Sequence, residues 1–216
     1  MQIAIIGAGN VGKALATSFT SAGHDVIITS RDPEDSGAVA AATGARAGTS
    51  NADAARNAEV IVLAVPFASV ADIAPEIAPV VEGRIVVDVT NRMSFGANGP
   101  EMDTTTSNGE EIAALLPGAR VVKAFNTLFA SRQADPVTET VRLDGFVAGD
   151  DADAKALVLE LARSIGLDPI DVGPLVRARQ LEALAFLNIA LNIENGGGWQ
   201  SGWKLVGAPA PTPVAA

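Results

Sequence analysis

A glycine-rich turn follows directly on a short apolar run in this chain, and an amphipathic stretch follows the turn. The apolar run covers residues 1–6, and the turn comprises Gly7, Ala8, Gly9, Asn10, Val11 and Gly12. A strand, a tight turn and a helix in this order are typical of a parallel α/β fold that binds a dinucleotide. Gly7 permits the turn, Gly9 allows a pyrophosphate to approach, and Gly12 allows the helix to pack closely. The free N–H groups of that helix are expected to hold the phosphates.

The end of the second apolar run indicates which dinucleotide is bound. NAD sites usually carry an acidic residue there, but this chain has Ser30 and Arg31. A guanidinium forms charge-assisted hydrogen bonds with phosphate oxygens. In the alternative interpretation, Arg31 only solvates a loop and Asp32 binds the ribose of NAD. Because Asp32 lies beyond the usual acidic position, the motif favours NADP.

Composition excludes several kinds of site and partner. The net charge of −10 argues against nucleic acid as a partner, since phosphate backbones bind basic surfaces. The chain contains no cysteine and one histidine, His24, which argues against disulfides, a thiol nucleophile and a metal site. The carboxylates Asp150, Asp151 and Asp153 are predicted to begin a helix rather than to bind a metal.

No apolar run is long enough to cross a bilayer. The longest apolar-rich stretch, 181–193, is interrupted by Glu182, Asn188 and Asn192. The short run at 2–6 does not have the form of a signal peptide. We therefore expect a cytoplasmic protein that does not associate with membranes.

Alternating apolar runs and helical patterns predict an α/β fold of the Rossmann type, with a doubly wound parallel sheet. Strands are expected at 2–6, 25–29, 45–48, 59–65, 84–88, from 119 onward, at 142–148 and at 169–172. Helices are expected near 10–22, 34–43, 51–56, 68–80, 107–116, 151–164 and 174–194. The stretch 92–109 interrupts this alternation and is predicted to be a long loop at the edge of a cleft, or a lid.

Three segments are expected to differ in role. Residues 1–148 form the predicted NADP-binding Rossmann domain. Residues 149–207 form a small C-terminal α/β extension that ends in a long helix and serves substrate binding and dimerisation. Residues 208–216 are a Pro/Ala-rich tail that is predicted to be disordered. The long helix is apolar over more than one face, and pairing with a second copy would cover it, so a homodimer is expected.

Several stretches of the chain resemble the NADP oxidoreductases that work with the deazaflavin coenzyme F420. Besides the glycine turn, they are Thr29-Ser-Arg31, Val65-Pro-Phe67, Val121-Val-Lys-Ala-Phe-Asn-Thr127, Ala148-Gly-Asp-Asp151 and Leu167-Asp-Pro-Ile-Asp-Val-Gly-Pro-Leu175. The Val-Lys-Ala-Phe-Asn segment is also similar to the cytosolic domains of membrane ferric reductases, which leaves the hydride acceptor open. The stretch 92–109 contains nothing diagnostic of F420, and Asn126 stands where some relatives have histidine.

The resemblance implies hydride transfer between NADP(H) and F420, with no catalytic side chain and with Asn126 and Leu128 only positioning the rings. The implied contacts of NADP, beyond the glycine turn with Ser30 and Arg31, are Val65, Pro66, Phe67, Thr90, Asn91 and Ala130. The implied contacts of the deazaflavin are Asn126, Thr127, Leu128, Asn195, Gly196, Gly197 and Gly198. Alternative interpretations are that Phe67 is a core residue, that Asn126 caps a loop, and that the glycines end a helix.

Two other functions remain open from the residues themselves. One is an NADPH-dependent reductase of a flavin, a quinone or a small carbonyl or imine compound. The other is an NADP-binding protein without turnover.

Overall fold

The computed structural model describes residues 1–96, 99–138 and 140–207, and within them the fold is an open sheet covered by helices on both faces. The strands are β1 (Gln2–Ile6), β2 (Asp25–Thr29), β3 (Arg46–Ala47), β4 (Val60–Leu63), β5 (Ile85–Asp88), β6 (Ser94–Gly96), β7 (Gly99–Glu101), β8 (Arg120–Ala124), β9 (Val137–Thr138), β10 (Val141–Arg142), β11 (Asp144–Gly149) and β12 (Asp168–Asp171). The helices are α1 (Asn10–Ser21), α2 (Pro33–Thr43), α3 (Asn51–Arg56), α4 (Val70–Ile77), α5 (Asn108–Leu115), α6 (Ala130–Gln133), α7 (Ala152–Ser164) and α8 (Ala178–Glu194). Single 3₁₀ turns lie at Phe67–Ser69, Ala78–Val80 and Leu175–Arg177.

The sheet is buried on both faces because its central strands are apolar apart from Asp88 at the end of β5 and Lys123 in β8. All four residues of β4 and all four of β5 are buried. One face packs against α1, α2 and α7 in a cluster that includes Leu15, Phe19 and Leu161. The other face packs against α3, α4 and α5 in a cluster that includes Ile77 and Ile112. This two-sided cover is the arrangement expected of parallel strands joined by helical crossovers.

Strand order places a cleft at the middle of the sheet. The order is β12-β11-β8-β5-β4-β1-β2-β3, and the six strands from β8 to β3 are parallel. The chain winds outward in one direction from β1 through β2 and β3, and in the other direction from β4. Ligands of such sheets bind outside the carboxyl ends of the strands at this point of reversal. The predicted Rossmann-type fold is confirmed.

The last two strands of the sheet run opposite to the others, which the sequence did not predict. β11 pairs antiparallel with β8, and β12 pairs parallel with β11. Among its described residues, the link from β8 to β11 contains the four-residue α6 and the β9–β10 hairpin and no crossover helix long enough to return the chain for a parallel strand. The predicted boundary between 148 and 149 falls at the end of β11, inside this sheet, and the division of roles between the segments stays a prediction.

The stretch 92–109 is not a plain loop, and in this respect the prediction was wrong. β6 and β7 form a small antiparallel hairpin, and α5 begins at Asn108. Alternation is too short in these three-residue strands to be recognised in a segment rich in glycine and threonine. The predicted tail, 208–216, lies outside the described residues. Among the helices that are described, none combines the length and the apolar content needed to cross a membrane.

Candidate active site

The turn between β1 and α1 needs glycine at two positions for reasons internal to the protein. Gly7 has φ +117°, and a Cβ there would lie 2.1 Å from the carbonyl oxygen of Ala64. A Cβ at Gly12 would lie 1.9 Å from the carbonyl oxygen of Gly7. These two glycines therefore allow the turn and the close approach of α1 to the sheet.

Gly9 is different, because the protein itself does not require glycine there. Its φ is −73°, and an added Cβ would have no atom within 4 Å. Gly9 is the N-cap of α1, and that end of the helix has neither a side-chain cap nor an acidic residue in its first turn. The first N–H groups of α1 therefore face open space with the positive end of the helix dipole behind them. The N-terminus of α1 thus fits a pyrophosphate.

At the end of β2, the exposed Arg31 lies next to Asp32, whose carboxylate already accepts a hydrogen bond within the protein. The carboxylate of Asp32 caps α2 by accepting the backbone N–H of Glu34 at 2.9 Å, and the hydroxyl of Ser30 donates to the carbonyl oxygen of Asp32. Arg31 is exposed, and no ion pair holds it within the described ranges. Because Asp32 serves the helix, this arrangement suits a 2′-phosphate better than a free ribose hydroxyl.

Three adjoining cavities lie at the carboxyl ends of the central strands. The nucleotide cleft has a volume of about 300 Å³ and is lined by residues 9–11, 64–67 and 89–91. The hairpin cavity, about 610 Å³, lies between Pro66, Phe67 and the β6–β7 segment. The loop cavity, about 180 Å³, is lined by residues 126–130, with Val11 on one side and Ala185 and Ile189 of α8 on the other. Asn91 lines all three cavities.

Most of the residues that the sequence singled out are brought together here. The cleft is lined by Gly9, Asn10, Val11, Val65, Pro66, Phe67, Thr90 and Asn91, and the loop cavity by Asn126, Thr127, Leu128 and Ala130. The β6–β7 segment contributes Met93, Ser94, Glu101 and Asp103 to the hairpin cavity, which agrees with a position at the edge of the cleft. Asn195, Gly196, Gly197 and Gly198 line none of these three cavities, and their contact with a ligand stays a prediction.

The turn after β8 is held in an unfavourable backbone conformation. Phe125 has φ +62°, which non-glycine residues rarely adopt. Its ring is buried edge-on against Phe19 at 5.8 Å, and its carbonyl oxygen accepts a hydrogen bond of 3.1 Å from Nε2 of Gln133. Such strain persists only where the surroundings impose it, and it is frequent at functional sites. The conformation directs the next residue, Asn126, back toward the cleft.

Asn126 and Asn91 form a reciprocal pair. Nδ2 of Asn126 donates to Oδ1 of Asn91 at 2.8 Å and to the carbonyl oxygen of Leu181 at 3.0 Å, while Nδ2 of Asn91 donates to the carbonyl oxygen of Asn126 at 3.2 Å. Oδ1 of Asn126 is buried and accepts no hydrogen bond from any residue that the structure describes. An unpaired buried acceptor beside two cavities is suited to a donor group on a ligand.

Sequence reasoning missed a group of buried charges directly beneath this pair. Nζ of Lys123 lies 2.7 Å from Oδ2 of Asp88 and 2.7 Å from Oε1 of Glu182, and the three side chains are almost completely buried. Burial raises the pKa of Glu182, because its ionised form is desolvated. The available signal was a lysine inside an otherwise apolar strand, together with an aspartate at the end of the neighbouring one.

Gly197, one of the glycines after α8, packs closely against the last turn of that helix. A Cβ at Gly197 would lie 2.3 Å from Oδ1 of Asn192, and the same oxygen accepts the backbone N–H of Trp199 at 3.1 Å. The ring of Trp199 packs edge-on against Phe129 at 5.1 Å. Because Phe129 lines the loop cavity, Trp199 connects the glycine segment to that cavity.

The single histidine of the chain is remote from the cavities. His24 directly precedes β2, so it lies at the amino ends of the strands, opposite the cleft, where its Nε2 is 2.9 Å from Oγ of Ser164. Partial burial lowers the pKa of His24.

The predicted helix start near Asp151 is confirmed, since its carboxylate accepts the N–H of Ala154 at 2.7 Å and caps α7.

The open N-terminus of α1, the Ser30–Arg31 pair and the adjoining cavities define the class: a Rossmann-type NADP-dependent oxidoreductase. A family model described as "NADP oxidoreductase coenzyme F420-dependent" matches residues 2–92. The F420-dependent NADP reductase of Methanothermobacter marburgensis is 35% identical over 213 residues, which cover 90% of this chain and 94% of that protein. The chain therefore belongs to the family of F420-dependent NADP oxidoreductases, as its sequence motifs predicted.

Two further comparisons agree with this conclusion. A solved structure of a candidate F420-dependent NADP reductase from Arthrobacter sp. FB24 is 34% identical and superimposes with a TM-score of 0.83, covering 91% of this chain and 96% of that one. Metalloreductase STEAP3 of Rattus norvegicus is 32% identical over 187 residues, which are 85% of this chain. This chain spans only 36% of the length of STEAP3.

Proposed function

We propose that the protein transfers a hydride between NADP(H) and the deazaflavin coenzyme F420. One observation carries the proposal: the nucleotide cleft at the N-terminus of α1 and the loop cavity share Val11 and Asn91 in their walls, so two ligands can meet at the ends of β5 and β8. When bound, the two cofactors supply carbon-to-carbon hydride transfer chemistry, which needs no protein nucleophile.

The nucleotide is held at its two charged groups. The N–H groups at the start of α1 bind the pyrophosphate, with Gly9 leaving room for it. Arg31 and Ser30 bind the 2′-phosphate at the end of β2. Val65, Pro66 and Phe67 then line the path toward Thr90 and Asn91, where the nicotinamide end lies.

The second ring is held in the loop cavity. The cavity is walled by Leu128, Phe129 and Ile189, whose apolar side chains suit the faces of a planar ring. Oδ1 of Asn126 accepts a hydrogen bond from one of the two ligands. Asn126 and Leu128 therefore position the rings and take no part in bond making. The predicted contacts at 195–198 belong to the same proposal.

The test is an absorbance assay of purified protein with NADPH and F420, with FMN, or with no acceptor. We expect turnover with F420 to be at least about 10²-fold more efficient than with FMN, because only a ring that fits the loop cavity is held with its reacting carbon aligned to the nicotinamide. Asn126→Ala should lower kcat with F420 by about 10²-fold, whereas Asn57→Ala, on the far side of the sheet, serves as the matched control. No F420-dependent oxidation of NADPH would overturn the proposal.

A second candidate function has a specific observation in its favour. The likeness to STEAP3 is about as strong as the likeness to the F420-dependent reductases, although it covers a smaller part of that protein. The name of that relative is metalloreductase. The second candidate function is the reduction of a flavin in place of F420, one of the acceptors that the sequence leaves open, and faster turnover with FMN than with F420 would support it.

The same proposal includes a homodimer formed through α8. Leu187 and Leu191 lie one helical turn apart and are 49% and 45% exposed. The opposite side of α8 walls the loop cavity with Ala185 and Ile189. A second copy would bury the apolar face and stiffen that wall. Light scattering at micromolar concentration should give twice the chain mass, and Leu191→Glu should give the monomer. A cytoplasmic location also remains part of the proposal.

A further inference from the structure

The buried charges beneath the cleft form a network that also reaches the start of α5, where the carboxylate of Glu182 accepts the backbone N–H groups of Asn108 at 3.2 Å and Gly109 at 3.4 Å. The ammonium of Lys123 donates to Oδ2 of Asp88 at 2.7 Å, to Oε1 of Glu182 at 2.7 Å and to the carbonyl oxygen of Thr90 at 2.5 Å. Because an ammonium has three N–H groups, these three acceptors satisfy it completely. Lys123 and Asp88 are opposite each other in the pairing of β5 with β8, and Glu182 reaches them from α8.

This network fixes the backbone on both sides of Asn91. Oδ1 of Asp88 accepts the N–H of Thr90 at 2.8 Å, and Lys123 holds the carbonyl oxygen of the same residue. Oε2 of Glu182 accepts the N–H of Arg92 at 3.1 Å. The residue between these anchors is Asn91, the one that lines all three cavities.

Asn126, the hydrogen-bond partner of Asn91, is also bound to α8, the helix that supplies Glu182. Nδ2 of Asn126 donates to the carbonyl oxygen of Leu181, which immediately precedes Glu182 in α8. A shift of Glu182 relative to the sheet would therefore move the anchors of both asparagines.

A contribution to the stability of the fold does not by itself explain why these three charges are buried. Desolvating three charges is expensive, and buried ion pairs can often be replaced by apolar side chains at no loss of stability. We infer that Asp88, Lys123 and Glu182 are positioning residues that hold the Asn91–Asn126 pair in register for hydride transfer. This inference rests on the proposed function, because the pair is what faces the two rings there.

The chain contains a matched control at the other end of the sheet. Lys204 also bridges two carboxylates, with Nζ 2.8 Å from Oδ1 of Asp144 and 2.5 Å from Oδ2 of Asp168. Asp144 is buried like Asp88. Asp144 and Asp168 begin β11 and β12, and none of the three residues lines a cavity of the candidate active site.

The experiment compares Lys123→Met with Lys204→Met in the full chain. Both variants should lose thermal stability. Lys123→Met should also lower kcat with NADPH and F420 by about 10²-fold, the effect of roughly 1 Å of misplacement. Its Kd for NADPH, measured by titration without acceptor, should stay within about threefold of wild type, since the pyrophosphate and 2′-phosphate are bound elsewhere. Lys204→Met should retain the kcat of wild type.

Glu182→Gln keeps the shape of the side chain and decides the question if Lys123→Met does not fold. It should reproduce the fall in kcat at unchanged affinity for NADPH. The inference is overturned if the folded variants lose no more kcat than Lys204→Met, or if both fail to fold, since the network would then serve stability. A wild-type protein that is inactive with F420 instead refutes the proposed function.

Discussion

Replacing Gly9 by valine should abolish binding of NADPH and leave the fold intact. An added Cβ meets no atom within 4 Å, and φ is −73°, which suits any residue. Loss of a favourable N-cap residue destabilises the fold by up to about 1 kcal/mol. Reduced entropy of the unfolded chain offsets about 0.4–1 kcal/mol of this. The midpoint of thermal unfolding should therefore change by less than about 4 °C.

The effect on binding should be much larger, because the side chain would occupy the space in front of α1. Displacing a pyrophosphate removes at least two hydrogen bonds to a charged group, each contributing about 1.5–3 kcal/mol. The dissociation constant for NADPH should rise by about 10²- to 10⁴-fold. Calorimetric titration with NADPH measures this change, and circular dichroism melting measures the stability.

Gly12→Ala is the comparison for stability, because it should destabilise the fold, which Gly9→Val should not. Its Cβ would lie 1.9 Å from the carbonyl oxygen of Gly7, so α1 must move away from the turn. We expect destabilisation of about 3 kcal/mol or more, which is a fall in the melting midpoint of about 6 °C or more. A folded Gly9→Val protein that binds NADPH as wild type does would refute the assignment of this turn to the pyrophosphate.

Three further outcomes are expected. Arg31→Ala should raise KM for NADPH by about 10- to 100-fold and leave KM for NADH unchanged, because one charged hydrogen bond is lost; equal efficiency of wild type with both nucleotides would contradict this. His24→Ala should leave kcat unchanged, since the histidine lies at the opposite edge of the sheet; steady-state kinetics that show a lower kcat would require a proton donor. Because burial raises the pKa of Glu182, the folded state retains this proton longer than the unfolded state. The contribution of Glu182 to the free energy of unfolding should therefore fall as pH rises from the pKa of an exposed glutamate through that of Glu182, and denaturant titrations of Glu182→Gln should lack this contribution.

The nucleotide half of the site could be predicted because its signals are local. Gly7, Gly9 and Gly12 lie within six residues; the turn itself needs Gly7 and Gly12, and Gly9 leaves room in front of α1 for a ligand. The end of β2 follows at the usual spacing, so Ser30 and Arg31 could be read without knowing the fold. Continuous apolar runs likewise predicted the buried central strands. In each case, the residues that interact are close in sequence.

The parts that could not be predicted depend on long-range pairing or on very short elements. β11 runs antiparallel to β8 because the described part of the link between them contains no crossover helix. Nothing in the sequence of β11 itself indicates this direction. The β6–β7 hairpin has three residues in each strand, too few for alternation to be recognised. The strain at Phe125 arises from burial of its ring against Phe19, and the sequence contains no glycine or asparagine there to signal a left-handed conformation.

The charged network shows how far the site depends on α8. Lys123 and Asp88 each interrupt or end an apolar run, and either alone is compatible with a strand terminus near solvent. Only the pairing of β5 with β8 places them opposite each other, and only the packing of α8 brings Glu182 to the same ammonium. The helix that supplies Glu182 also supplies the carbonyl oxygen of Leu181 to Asn126 and one wall of the loop cavity. The same helix presents Leu187 and Leu191 to the outside. A partner that packs against α8 would therefore bear on the register of the two asparagines, so Leu191→Glu should lower kcat as well as dissociate the proposed dimer.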